Sequence, residues 1–267
     1  MYFLSVVLIG TVYPIFLDVI SSQKISIGPP FYHKLIIPFL IPFLLAMAIW
    51  SKLNWTKAKV KNQISLSLLF VCTILLSVFI LKKLDIEFLT YTLLLSSSFF
   101  LFFTSLKDFF NNKFINLPQN ISHFGFSLLI LSILLNSLFS SEIITNLKVG
   151  ESHEMNKTKI FFEKIEKRKE QNYLSIVGYF NITDPQKNVK NLEPELRIYN
   201  QPNIITSEAD IKTTLISDTF IVMNSVKNKD YFNIRYQVKT FMVWIWISVL
   251  IISFGGILSL IKKNYAK

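Results

Sequence analysis

Apolar runs about as long as the 18–20 residues that cross a bilayer recur through the first half of the chain and return once near its end. They fall at residues 2–20, 35–53, 64–81, 88–106, 121–140 and 240–261 and predict six spanning helices. Pro38 and Pro42 interrupt the second run, which a membrane helix tolerates when neighbouring helices satisfy the freed backbone groups. Between the third and fourth runs only Lys82 to Glu87 intervene, predicting a tight hairpin. The first run has no basic leader and no small-residue cleavage pattern, so it is expected to be a retained span and not a signal peptide.

Residues 141–239 have a different texture. Lys159–Ile165, Tyr173–Ile182, Leu196–Asn200, Thr219–Asn224 and Tyr231–Val238 are short alternating segments rich in Ile, Val, Phe and Tyr, separated by Asn, Asp, Pro and Lys. They predict a small β-rich domain, large enough for a modest core of its own. The expected fold is therefore an α-helical transmembrane bundle of about six spans with an inserted β-rich extracytoplasmic domain. Its parts would be a five-span region at 1–140, the β-rich domain at 141–239, and a final span with a basic inner tail at 240–267.

Composition sharpens this picture through the placement of charge. The 267 residues are 51% hydrophobic and carry 28 Lys+Arg against 17 Asp+Glu, a net charge of +11. On a globular surface that excess would suggest nucleic acid. Residues 141–239, however, hold 15 basic and 13 acidic residues, which leaves 13 basic and 4 acidic around the apolar runs. The excess is thus a topology signal, and no nucleic-acid partner is expected. One set of loops and tail carries Lys52, Lys57, Lys59, Lys61, Lys107, Lys113, Lys262, Lys263 and Lys267; the opposite set carries Lys24, Lys34, Lys82 and Lys83. The positive-inside rule puts the first set, with both termini, on the cytoplasmic or matrix side. Residues 141–239 would then lie in the periplasm or intermembrane space of a bacterial or mitochondrial inner membrane.

Few side chains offer chemistry. The single cysteine, Cys72, lies within an apolar run and has no intrachain partner, and HExxH, CxxC and Gly-rich phosphate-loop patterns are absent. The histidines are His33, His123 and His153. His123 falls in the opening turn of the fifth run, near the basic side, where an ionisable group is a functional candidate by default. Ser122, Gly125 and Ser127 are small enough to admit a planar macrocycle, Phe124 and Phe126 would supply apolar walls, and a neutral imidazole suits haem iron. The residues alone equally allow an interfacial histidine that snorkels to headgroups or caps the helix. Gly28-Pro29-Pro30 before His33 predicts a turn or extended segment against the membrane, either a simple re-entry or a wall for an apolar ligand. His153, in Glu151-Ser152-His153-Glu154, is expected to be solvated. Trp244 and Trp246 read as interfacial anchors, Gly255-Gly256 as a site of close helix packing, and Asp18 as a helix-end residue facing water or a neighbouring subunit.

Taken in order, these segments resemble the C-terminal portion of CcmF, a family of membrane haem lyases of cytochrome c maturation, over nearly the whole chain. Gly10-Thr11-Val12-Tyr13-Pro14 and Lys24 to Tyr32 resemble its GTLxP and ISVGPPYF block, and Ser122-His123-Phe124-Gly125 its AHLG span. Leu138 to Glu142 and Leu147 to Ser152 resemble the segment that follows. Leu192 to Tyr199 is similar to LxPEKRxY, Thr206 to Ile211 to TEAxI, and Trp244-Ile245-Trp246 with Gly255-Gly256 to the final span.

The resemblance implies that His123 is an axial ligand to a structural haem b, with Gly125 allowing close approach. A six-coordinate haem needs a second axial ligand, which would be a histidine outside this chain. The family's WWD segment, its two outer haem-binding histidines and its other transmembrane histidine belong to the N-terminal part, so the chain is expected to be a split-gene subunit or a fragment and not catalytic alone. His33 stands where the family usually has Asn, and Lys239 to Trp244 lacks the proline and arginine of the family's KPFVRW. Implied partners are the N-terminal portion of the lyase, the haem chaperone CcmE, apocytochrome c with the thiol-reducing proteins that handle its CxxCH motif, and the lipid bilayer. Other expectations to weigh are a scaffold that binds assembly partners without haem, and a transporter or sensor component.

Overall fold

The computed structural model describes residues 1–21, 25–50, 63–86, 89–111, 117–155, 157–185, 188–226 and 229–265. Lys24, Lys52, Lys57, Lys59, Lys61, Lys113 and Lys267, on which the charge asymmetry leans, lie outside the described residues, as do residues 51–53 of the second apolar run and Glu87 of the hairpin. The chain divides into two compact units, residues 1–131 with 248–267, and residues 132–247.

The helices are α1 (Tyr2–Ser21), α2 (Pro29–Trp50), α3 (Gln63–Leu84), α4 (Leu89–Asn111), α5 (Leu117–Phe139) and α6 (Met242–Tyr265). All are long and apolar enough to cross a membrane, and with the relatives reported below they make this an integral membrane protein. In the first unit α4 is the central element: 61% of its most apolar window is buried, against 28% or less for each of the others. Its Phe100 packs on Phe70 of α3 at 5.2 Å. Buried hydroxyls such as Ser97 and Thr104 on α4 and Ser77 on α3 turn back onto their own helix carbonyls, which satisfies them without water.

The second helix starts earlier than the apolar pattern suggested. Pro29 and Pro30 open α2 instead of forming an extended segment, since the first helical positions need no N–H. His33 therefore lies in the first turns of α2, with an exposed side chain. Its neighbour Tyr32 packs into the space left by Gly10 of α1, where a Cβ would come within 2.7 Å of Tyr32 Oη. The α3–α4 hairpin closes at Asp85, whose left-handed φ of 55° ends α3.

Among the described residues the second unit contains ten strands: β1 (Ser141–Leu147), β2 (Ser152–Met155), β3 (Thr158–Lys169), β4 (Tyr173–Thr183), β5 (Val189–Leu192), β6 (Glu195–Asn200), β7 (Asn203–Glu208), β8 (Asp210–Thr213), β9 (Ser217–Ser225) and β10 (Phe232–Thr240). One antiparallel sheet has the order β1-β10-β9-β8; the other runs β2-β3-β4-β6-β7, with β5 also pairing β4. The five segments picked out by alternation became β3, β4, β6, β9 and β10. Between the sheets lies one core of Ile160, Phe162, Phe180, Ile182, Leu192, Leu196, Ile221, Met223, Ile234 and Tyr236, with Ile143 and Leu147. Phe162 stacks on Phe180 at 4.2 Å. His153 is half-buried in edge strand β2, paired with Ile160 and flanked by exposed Ser152 and Glu154.

Candidate functional site

His123 lies early in α5, half-buried, on a helix whose two neighbouring positions are already committed. On one side Ser122 and Gly125 face α6. A Cβ at Gly125 would come within 2.9 Å of both Ile251 and Ile252 side chains, and one at Gly255 would lie 2.9 Å from Ser122 N and 3.0 Å from Pro118 O. On the other side Phe124 packs against Phe109 and Phe102 of α4, with ring centroids 5.6 Å and 5.8 Å away. Since successive helix positions are turned by about 100°, the imidazole projects between the direction of α6 and that of α4. The Asp108 carboxylate, near the end of α4, acts on the imidazole electrostatically.

The small residues around His123 thus do something more specific than leave open space. Ser122 and Gly125 bring α6 against α5, the close packing expected of Gly255-Gly256, although only Gly255 takes part, since nothing lies within 4 Å of a Cβ at Gly256. Ser127 is buried and donates its hydroxyl hydrogen bond to the Phe124 carbonyl at 2.8 Å. The room beside Gly125 is filled by a helix, so the glycine acts on the position of α6 and not as a bare surface for a macrocycle.

The residues around His123 offer a haem one ligand. One half-buried imidazole suits a single axial position. No group of three or more His, Cys, Asp or Glu residues that would hold a metal ion occurs among the described residues. Cys72 is exposed on α3 and Asp18 on α1.

In the second unit the conspicuous features are polar side chains braced across strands. Arg197 on β6 pairs with Glu195 at 3.1 Å and lies over the Tyr173 ring at 5.2 Å, while Ser175 donates to Glu195 at 3.1 Å. Asp210 accepts from the Glu193 backbone N–H at 2.7 Å, joining the Leu192–Tyr199 segment to the Thr206–Ile211 segment. Leu192 and Leu196 are core residues. The recognisable motifs of this domain are therefore structural joints. On the exposed face Tyr179 donates to Glu166 at 2.8 Å, and a hydrogen bond from Lys164, then that of Tyr179, holds the Glu166 carboxyl below its ordinary range. Glu142 on β1 is likewise lowered, first by a hydrogen bond from Gln237 and then by Arg235. Burial, then the charge of Asp184, pushes the Tyr236 phenol up.

With this geometry in hand, comparison with known proteins gives one consistent answer. Residues 138–240 match the family model described as the CcmF C-terminal beta-sandwich. The cytochrome c-type biogenesis protein CcmF of Pseudomonas fluorescens is 26% identical over 98% of this chain, and CcmF of Escherichia coli 23% identical over 98%. NrfE of Haemophilus influenzae, also a cytochrome c-type biogenesis protein, is 22% identical over 94%. The chain spans 42% of the length of each CcmF protein and 41% of NrfE. A solved structure, the cytochrome c heme lyase CcmF, matches 95% of this chain and 42% of its own with a TM-score of 0.68 at 16% identity, which establishes a shared fold.

Proposed function

We propose that the chain supplies the C-terminal portion of a cytochrome c haem lyase and helps hold and position haem for covalent attachment to apocytochrome c. The observation that carries this reading is the order of its parts. Helices of membrane length with a β-sandwich before the last of them share the fold of a solved CcmF over 95% of this chain, and residues 138–240 match the CcmF C-terminal beta-sandwich.

Within that role His123 is the axial ligand contributed by this chain to a haem b, and its partner ligand is a histidine of the N-terminal portion of the lyase. Bound there, the haem would supply a redox-active iron held in part by the His123 imidazole. The chain's own residues perform the positioning. Ser122 and Gly125 set α6 against the ligand helix, and Phe124, locked on Phe102 and Phe109, limits how that helix can rotate. The Asp108 carboxylate acts on the imidazole electrostatically.

Residues 141–239 form the extracytoplasmic domain of this reading, between a five-span region at 1–140 and a final span with a basic tail at 240–267. In this reading that domain lies on the side of the membrane where haem delivered by CcmE meets a reduced CxxCH motif. Both termini lie on the cytoplasmic or matrix side, following the lysine-rich loops.

The test is co-expression with the N-terminal portion of a CcmF protein and a CxxCH-containing reporter cytochrome in cells lacking their own lyase. Covalent haem on the reporter that depends on this chain is expected. A reporter matured equally well without the chain would overturn the reading, and a dependence that survives His123→Ala would leave a scaffold that does not hold haem.

A further inference from the structure

The turn between β8 and β9 breaks the usual chemistry of tight turns. Thr214 and Ser217 close it, with Thr214 N donating to Ser217 O at 3.0 Å, Thr214 Oγ1 to the same oxygen at 2.7 Å, and Ser217 N to Thr214 Oγ1 at 3.1 Å. Its two central positions, where Gly, Asn or Asp are favoured, are Leu215 and Ile216, exposed to 71% and 66%. Two large aliphatic side chains are thus held outward on a rigid tip, away from the core of their own domain.

The same tip is tied to the start of a membrane span. Trp244, in the first turn of α6, donates its indole N–H to the Leu215 carbonyl at 2.9 Å, and Phe241 N donates to Ile216 O at 2.7 Å. Phe241, at φ 59°, is the single residue between β10 and α6, so no linker lets the sheet drift from the helix. Its ring meets Phe139, the last residue of α5, at 6.4 Å. Trp244 stands about 3 Å along the axis from Met242, at a rise of about 1.5 Å per residue, and tryptophans at that depth belong to the aromatic belt of the interface. Ile204 and Ile205 on edge strand β7 are also exposed, but among the described residues no hydrogen bond joins them to a spanning helix.

We infer that the Leu215–Ile216 turn is a membrane-interface anchor, with both side chains inserted among the headgroups and upper acyl chains beside α6. It gives the β-sandwich a lipid contact in addition to its two covalent connections and opposes tilting of the domain on the membrane. The inference rests on the spanning character of α6 and is independent of whether the protein holds haem.

The test places a nitroxide on Leu215→Cys, and separately on Ile216→Cys, in a Cys72→Ser background. The full chain is reconstituted in vesicles of phosphatidylethanolamine and phosphatidylglycerol. Reference labels are Leu68→Cys on the exposed face of α3 and Gln171→Cys at the tip of the β3–β4 hairpin. At both turn positions collisions with oxygen should exceed those with a water-soluble nickel chelate, as at Leu68→Cys. Nickel access equal to that at Gln171→Cys would overturn the inference by putting the turn in water. Protection from both reagents would overturn it in favour of a protein contact. Two labelling sites keep the test usable should one variant misfold.

Discussion

Gly255 of α6 sits so close to Ser122 of α5 that a Cβ on the glycine would collide with Ser122 Oγ and lie 2.9 Å from Ser122 N. The obstruction includes backbone, which cannot rotate away as a flexible side chain can. Packing of the helix that carries His123 therefore depends on a hydrogen atom at position 255.

Gly255→Leu should destabilise the helical unit by about 1–3 kcal/mol, the usual penalty for overpacking. Gly256→Ala, with nothing within 4 Å of the new Cβ, should stay within about 0.5 kcal/mol of wild type. Thermal denaturation of the two variants in nanodiscs checks the pair. Equal loss from both would mean that the close approach is not what the glycine serves.

Phe162→Ala removes one of two stacked rings at the centre of the sandwich, both essentially inaccessible. The expected loss is about 3–5 kcal/mol, transfer plus cavity. Ile204→Ala, on an exposed edge strand, should change stability by less than about 0.5 kcal/mol. Protease sensitivity of residues 141–240 reads out the contrast.

Tyr236 is 2% exposed and its hydroxyl is buried without a hydrogen-bond partner among the described residues. An unsatisfied buried hydroxyl is a liability of about 1–3 kcal/mol, so Tyr236→Phe should be neutral or stabilising. A marked fall in melting temperature would reveal a partner for the hydroxyl.

The carboxyls of Glu142 and Glu166 are both held below the ordinary range by hydrogen bonds in the folded domain. A carboxyl lowered by folding contributes its stabilisation in full above its unfolded pKa, and that contribution is lost as pH falls through the folded value. The sandwich should therefore lose stability on acidification through and below the carboxylate range. Glu142→Gln should flatten that slope by removing this contribution at neutral pH, a small loss because the group is exposed, while stability at acid pH stays close to wild type. Melting temperature against pH for the two proteins gives the comparison.

Much of this architecture was legible in the residues. Apolar runs of membrane length predicted the six helices to within a few residues, except where Pro29 and Pro30 could begin a helix as easily as prevent one. Alternation found the strands with a buried face, such as β4, where Val177, Phe180 and Ile182 are inaccessible. It missed β1, β2, β5, β7 and β8, which are short or lie at sheet edges and so carry little alternating burial. His123 stood out as an ionisable residue at membrane depth. Its neighbours misled in part, because Ser122 and Gly125 are equally suited to a ligand and to a helix, and spacing within one segment does not reveal that Ile251 and Gly255, far along the chain, fill the space. The Leu215–Ile216 turn offered only a pair of aliphatic residues, whose meaning depends on the Trp244 hydrogen bond.

The central claim, that His123 is this chain's axial ligand to a haem b shared with a second histidine, is tested most directly by visible spectroscopy. The reduced and oxidised complex of this chain with the N-terminal portion of the lyase should give a bis-histidine b-type spectrum, lost or converted to a five-coordinate form in His123→Ala, while the neutral Gly256→Ala control retains it. A full bis-histidine b-type spectrum in His123→Ala would contradict the assignment.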